Sequence, residues 1–482
     1  MLRTSFVLTM FLALNAWVTV AAADVDAKAA LAGASKALGA DGLKSIEYSG
    51  SGFDFVIGQN FNASSPWPRF NNKTYTRLVS FEPWATRLQR IRTQAENPPR
   101  GGGQQPIVGD QNQVQVVAAG MPAAATIADE LMMTVPQAFV RIASAARDVT
   151  AKSESKAGKK YTVVSFTAIN KAKTSGWIND QGLVERVETM IDNNVFGDMV
   201  YDVTFADYKT LGGIQFPSHI IQKQGGHAVL DWTVSEVKTN VAVNIAAPAA
   251  AGPGAPAPAA AASEKLSEGV YLITGGYAAL ALDMKDHILI IEGGQSDQRS
   301  QAVMAEAKRL IPGKPITELV NTHAHVDHLG GVRTYVAEGA TIITHELNKP
   351  YYQKLWKAPH TLAPDALAQR PKKAAFKTVK EKMVITDGDH VVELHRMTDF
   401  GHTDSMLLVY LPKEKILVEA DGFNPPAREI TQTPASLSPY NQSLVANIER
   451  LKLDVQRIIP IHLPADGRKV GMPELMKVIG RN

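Results

Sequence analysis

The 482-residue sequence contains no cysteine. That excludes disulfides, thiolate metal ligation and a cysteine nucleophile. It also removes the residue on which a bacterial lipoprotein carries its lipid anchor. An exported chain of this size without disulfides fits a bacterial periplasm better than a eukaryotic surface. Strong charge of either sign is missing too. The formal net charge is only +3, which gives no reason to expect a nucleic-acid partner. No Gly-x-Ser-x-Gly elbow and no P-loop occurs, so serine hydrolysis and nucleotide chemistry find no support. After residue 23 no apolar run is long enough for a transmembrane helix.

What is present divides the chain into four parts. Arg3, the mostly apolar stretch Ser5 to Val20 and the small residues Ala21-Ala22-Ala23 read as a secretory signal over residues 1–23. Residues 24–245 alternate. Met199, Tyr201, Val203 and Phe205 share one face, as do Ala228, Leu230, Trp232 and Val234, and Val164, Phe166 and Ala168. Such period-2 patterns predict antiparallel strands with one buried face. A helix is expected near Asp26–Leu38. The stretch Asn97–Gln115, rich in Pro, Gly, Gln and Asn, reads as a loop. Thr210–Pro217 reads as a turn into a short strand ended by its proline. Residues 246–263 are almost wholly Ala, Pro and Gly, the composition of a semi-rigid linker.

From residue 264 to 482 strands and helices mix. Val270–Thr274, Ala278–Met284 and His287–Glu292 read as strands, Ser300–Leu310 as an amphipathic helix and Pro315–Val320 as a strand. A helix over Gly331–Ala337 and a strand over Thr341–Thr344 follow. Val391–His395, Met406–Leu411 and Lys415–Ala420 form a second strand set. A helix marked by Leu444, Ile448 and Leu451 then precedes a strand over Arg457–Ile461. Strands followed by helix–strand alternation, twice over, predict a four-layer αβ/βα sandwich of the α+β class.

The strand Pro315–Val320 delivers Asn321-Thr322-His323-Ala324-His325-Val326-Asp327-His328-Leu329-Gly330-Gly331. Three imidazoles and a carboxylate lie within six residues. Neutral imidazole is the commonest metal ligand in proteins. His323 and His325 are two apart, so on extended backbone they point the same way and can share one metal. Asp327 and the adjacent His328 project differently and can reach a second.

These residues resemble the signature of the metallo-β-lactamase superfamily. The resemblance implies three further ligands, for which Phe400-Gly401-His402, Ala420-Asp421-Gly422 and Pro460-Ile461-His462 stand at strand ends. Carried over, His323, His325 and His402 would hold one metal, Asp327, His328 and His462 a second, and Asp421 would bridge them. Aspartate at 421, where one lactamase subclass has cysteine, makes the set similar to that of glyoxalase II and the lactonases. The implied enzyme is a dinuclear zinc hydrolase, with two Zn2+ per chain activating water. Its substrate would be a small ester, lactone, thioester or β-lactam, and Asp327 would help orient or accept the proton of the nucleophile. Two other readings stay open. One is an iron-dependent oxidoreductase of the same superfamily. The other is an envelope binding or carrier protein with an accessory metal domain, since Trp177-Ile178-Asn179 and Gly213-Ile214-Gln215-Phe216-Pro217 resemble the curved antiparallel sheet of lipoprotein carriers. Tyr351, Tyr352 and Trp356 are candidates for an aromatic wall, with a solvated amphipathic helix as the alternative. The loops expected over the metals are His345–Lys382 and Gly422–Pro439. His219, His227, His287, His360, His390 and His395 are expected to be structural or solvated, and His345 to stand behind the metal ligands at most.

Overall fold

A computed structural model describes residues 25–96, 98–103, 106–107, 109–245 and 261–481. The expected signal segment and nearly all of the expected linker lie outside these residues.

Asp26 caps the first helix, Ala27–Leu38, by accepting from the backbone N–H of Lys28 and Ala29, and Gly39 closes it in the left-handed conformation (φ +66°). The alternating sequence that follows forms one antiparallel sheet of eleven strands among the described residues. Its outer edges are Gln111–Val117 and Thr150–Lys156. Its two halves join where Ser45–Phe55 pairs with His227–Thr239, with Tyr48 opposite Val237. One face packs Tyr48, Tyr75, Phe216 and Trp232 together with Leu31, Leu38, Leu131, Phe139 and Val140 of the covering helices. Tyr75 stacks on Trp232 with ring centroids 3.9 Å apart. At Gly176 a Cβ would meet the Phe139 ring at 2.1 Å, so this strand accepts no side chain under that helix.

Two sequence expectations fail here. The end of the expected loop Asn97–Gln115 is strand: Gln111–Val117 pairs with Trp84–Gln94. Its polar residues need no burial because it is an edge. Pro217 does not end a strand. Ile214–Gln224 runs through it, and the ladder to His227–Thr239 starts only at His219, so the proline sits where one neighbour is missing.

The remainder forms two sheets packed face to face. The first has seven strands, Ala262–Ser267 through Ala375–Val379, antiparallel up to Ile288–Ile291 and parallel beyond. The second has five, Lys382–Asp387 through Arg457–Pro460. Leu280, Leu289, Ile291 and Val320 of one meet Leu394, Leu408, Leu417 and Ile459 of the other in a single buried core. Val303, Ala307, Val332 and Tyr335 of two helices cover the outer face of the first sheet. Leu444, Val445 and Ile448 cover the second. The order helix, sheet, sheet, helix is the expected four-layer αβ/βα sandwich, and strands such as Ile288–Ile291, buried on both faces, read as uninterrupted apolar runs.

The eleven-stranded sheet and the sandwich are locked together away from the metal-ligand segments. Asp198 accepts from the backbone N–H of Thr361 (2.8 Å) and Leu362 (3.2 Å), and its own N–H donates to Pro359 (2.7 Å). Val195 is buried in the core of the first sandwich sheet. The segment around Pro359, expected to lie over the metals, is therefore an interdomain contact.

Candidate metal centre

Every candidate ligand leaves the end of a sandwich strand, where a rigid sheet presents mobile chain. Ile316–Val320 delivers His323 to His328, His390–Arg396 leads to His402, Ile416–Glu419 to Asp421 and Arg457–Pro460 to His462. The seven side chains converge. The facing atoms of His323, His325 and His402 lie within 4.8 Å of one another, as do those of Asp327, His328 and His462 and those of His323, His328 and Asp421. Asp421 Oδ2 stands 3.0 Å from His328 Nε2 and 3.4 Å from both His323 Nε2 and His402 Nε2. Its other oxygen is 3.1 Å from His462 Nε2.

Hydrogen bonding alone leaves this arrangement incomplete. Neither Asp421 oxygen accepts a hydrogen bond, and His323 Nε2 has no partner, although all are buried. His325 Nδ1 faces His402 Nε2 at 2.8 Å, and His328 Nε2 faces His462 Nε2 at 3.3 Å. Imidazole lone pairs aimed at one another around a shared carboxylate suit divalent cations between them. Asp421 itself holds φ +59°, a strained backbone for a non-glycine residue, as active-site residues often do.

Behind the ligands stands a second layer. His323 Nδ1 lies 3.1 Å from Thr322 Oγ1, and His328 Nδ1–H donates to Glu292 Oε2 at 3.0 Å. Glu292 Oε1 accepts from the Thr322 backbone N–H at 2.6 Å. Such partners fix ring orientation and tautomer. Asp327 accepts from Tyr277 Oη at 3.1 Å and from Gln59 Nε2 at 2.7 Å. His325 Nε2–H donates to the Asn60 carbonyl at 3.0 Å. Glu419 accepts from the backbone N–H of Gly422 and Phe423, shaping the turn that carries Asp421.

Burial sets much of the electrostatics. It pushes His323 and His325 below the usual histidine range, with neighbouring imidazoles adding to the effect, so both are neutral and ready to ligate. It pushes Glu419 up to about 8. Against burial, the carboxylates of Asp327 and Asp421 hold His328 well above its ordinary value.

All seven residues singled out in the sequence are brought together. The aromatic wall is not. Tyr352 is fully buried and its hydroxyl donates to Asn321 Oδ1 and, at 3.1 Å, to the His323 carbonyl, so it supports the loop from beneath. Trp356 stacks on Phe376 at 5.6 Å. Only Tyr351 reaches toward the centre, with its hydroxyl 3.5 Å from Asn60 Oδ1. His345 donates to the Lys380 carbonyl and belongs to no ligand group. His287 does lie beside Asp286 and Asp387, a partly exposed trio whose third member the sequence places far away. Gln59, Asn60, Tyr277 and Glu292 were not foreseen. Gln59 and Asn60 carry no signal within their own stretch, whereas Glu292 stood at the end of an expected strand.

Residues 277–462 match the family model of the metallo-beta-lactamase superfamily. Over 57 residues the chain is 37% identical to the linear primary-alkylsulfatase of Pseudomonas sp. (strain ATCC 19151), a stretch covering 12% of this chain and 11% of that protein. The metallo-beta-lactamase from Pontibacter korlensis is 19% identical with a TM-score of 0.34, covering 46% of this chain and 97% of that one. The sec-alkyl sulfatase PisA1 is 16% identical with a TM-score of 0.33, covering 46% of this chain and 40% of that one. Residues 277–462, which carry the converging histidines and aspartates, are in this sense similar to the metallo-beta-lactamase superfamily.

Proposed function

We propose that the protein is an exported hydrolase whose centre takes two zinc ions. The observation that carries this reading is the convergence of seven histidine and aspartate side chains into three mutually facing ligand groups around the buried Asp421. His323, His325 and His402 would hold one ion and Asp327, His328 and His462 the other, with Asp421 lying between the two sets. Bound there, two zinc ions supply activated water at neutral pH and Lewis acidity toward the bond to be broken. The chain does the rest. Asp327, fixed from both sides by Tyr277 and Gln59, is the carboxylate placed to orient the nucleophile and take its proton. Burial keeps His323 and His325 neutral and excludes bulk water from the strand ends.

The substrate is a small molecule with a hydrolysable ester, sulfate ester, lactone, thioester or β-lactam. Sulfate esters head that series because a 57-residue stretch resembles an alkylsulfatase. Export rests on the apolar segment before Asp24, and the lack of cysteine then favours a bacterial periplasm over a eukaryotic surface. Among the described residues no helix is long and apolar enough to cross a membrane. The test is metal analysis of the purified protein together with hydrolysis of an alkyl sulfate, a lactone, a thioester and a chromogenic β-lactam, with and without a chelator. Chelator-sensitive turnover of one class by protein carrying two zinc equivalents supports the reading. Iron in place of zinc, with oxygen uptake, overturns it.

A further inference from the structure

The eleven-stranded sheet does more than sit beside the sandwich. Between its strands Ser45–Phe55 and Arg69–Phe81 runs a segment, residues 58–62, that touches two of the four ligand-bearing segments. The Val326 N–H donates to the Gly58 carbonyl at 3.2 Å. Gln59 Nε2 donates to Asp327, and the Asn60 carbonyl accepts from His325. The Phe61 carbonyl accepts from the Asp404 N–H at 3.1 Å and from Thr403 Oγ1 at 3.1 Å, beside His402. Asn62 Nδ2 donates to Asp404 at 3.2 Å. A second strand-end loop holds this one down: the Gly102 N–H donates to the Gln59 carbonyl at 2.9 Å, and the Gly101 N–H to the Gly401 carbonyl at 2.8 Å.

Two features fit Gln59 and its neighbour to the metal loop. Gln59 is only 7% exposed, and its amide turns Nε2 toward Asp327 while its Oε1 stays buried without a hydrogen-bond partner. Its neighbour Gly58 has φ +67°, and a Cβ there would stand 2.8 Å from Val326 Cβ, so the chain is fitted closely to the metal loop.

We propose that the strap 58–62 is part of the metal centre, with Gln59 a positioning residue that holds Asp327 toward the second metal and the Asn60 carbonyl fixing the His325 ring. This rests on the two-metal reading above. It gives the first domain a role in the enzyme that is neither carrier nor scaffold: the sandwich supplies the ligands and the other domain orients two of them.

The experiment titrates Co2+ into metal-free full-length protein, following the visible spectrum and chelator competition, for wild type, Gln59→Met, Gln59→Glu and Gly58→Ala. Gln59→Met keeps the length and loses the donor, and Gln59→Glu sets a carboxylate against Asp327. Both should weaken the second equivalent on the order of 10- to 100-fold and leave the first unchanged. The unfolding midpoint of the metal-free protein should not move. Gly58→Ala, which displaces the strap, should weaken both equivalents. Wild type taking two equivalents, with both Gln59 variants matching it, overturns the inference alone. Both equivalents weakening together with a lower metal-free midpoint would make Gln59 a structural prop and overturn it too. Wild type taking fewer than two equivalents overturns the two-metal reading and this inference with it.

Discussion

Glu292 shows how much a single buried carboxylate can do at a strand end. It is 1% exposed, sits at φ +61°, and divides its oxygens between His328 Nδ1 and the Thr322 N–H. One side chain thereby fixes a ring and the backbone that carries His323. Glu292→Gln keeps the shape and weakens the acceptor facing His328. Zinc retained through dialysis against graded chelator should fall on the order of 10- to 100-fold in apparent affinity, while the far-UV spectrum stays as in wild type. Unchanged retention would mean that His328 needs no orienting partner. The ligands themselves are less forgiving. His323→Ala or Asp327→Ala should abolish hydrolysis of whichever substrate the wild type turns over, with the fold kept. Full turnover by either would remove these residues from the centre. His323, His325, Asp327 and His328 were legible because they fall within six residues, and His402, Asp421 and His462 because the family resemblance asked for ligands near later strand ends. Glu292, Tyr277 and Gln59 were not, because a partner reached through folding leaves no spacing to read.

Among elements, strands such as Gly197–Leu211 and His227–Thr239 were legible because apolar and polar residues alternate along them, whereas Ser45–Phe55 and Arg69–Phe81 were not singled out. Trp84–Gln94 escaped because arginine and glutamine occupy much of it, and Gln111–Val117 because glutamine and asparagine do. The structure explains that composition. Arg92 grips Asp54 with Nη2 at 2.6 Å and Nε at 3.1 Å, Arg90 approaches at 3.3 Å, and Asn72 Nδ2 donates at 2.8 Å. Arg92 also lies over the Phe70 ring, 3.8 Å from its centroid. This buried cluster ties three strands together at the end from which the strap 58–62 departs. Paired charges of this kind add little net stability, but removing Arg92 leaves the buried Asp54 carboxylate with only the longer Arg90 contact and the Asn72 amide. Arg92→Leu should therefore cost about 3 kcal/mol in urea unfolding. Because the strap hangs from that end, the same variant should lower metal affinity, whereas Arg87→Leu, at an exposed position of the same strand, should change neither. An Arg92→Leu midpoint equal to wild type would show that the cluster braces nothing.

At the scale of the whole molecule, the places where the two domains meet include the strap at the metal loops and Asp198 at the segment around Pro359. Two contacts far apart in sequence, one of them at a metal centre, should make unfolding of the sheet and of the sandwich depend on each other. Metal binding stabilises the folded state by mass action, about 4 kcal/mol when free metal is 1,000 times the dissociation constant. In a molecule of loosely joined domains that stabilisation would fall on the sandwich alone. Here the strap shares the centre, so it should reach the eleven-stranded sheet as well. Calorimetry of the zinc-loaded protein should show one dominant transition, and a chelator should lower it as a unit. Trp232, buried in the core of the sheet domain, offers a local check, since fluorescence from that core should lose its native signal at the same lowered temperature. If chelation instead split the transition and left the sheet's melting where it was, the domains would be energetically separate and the strap no more than a contact surface.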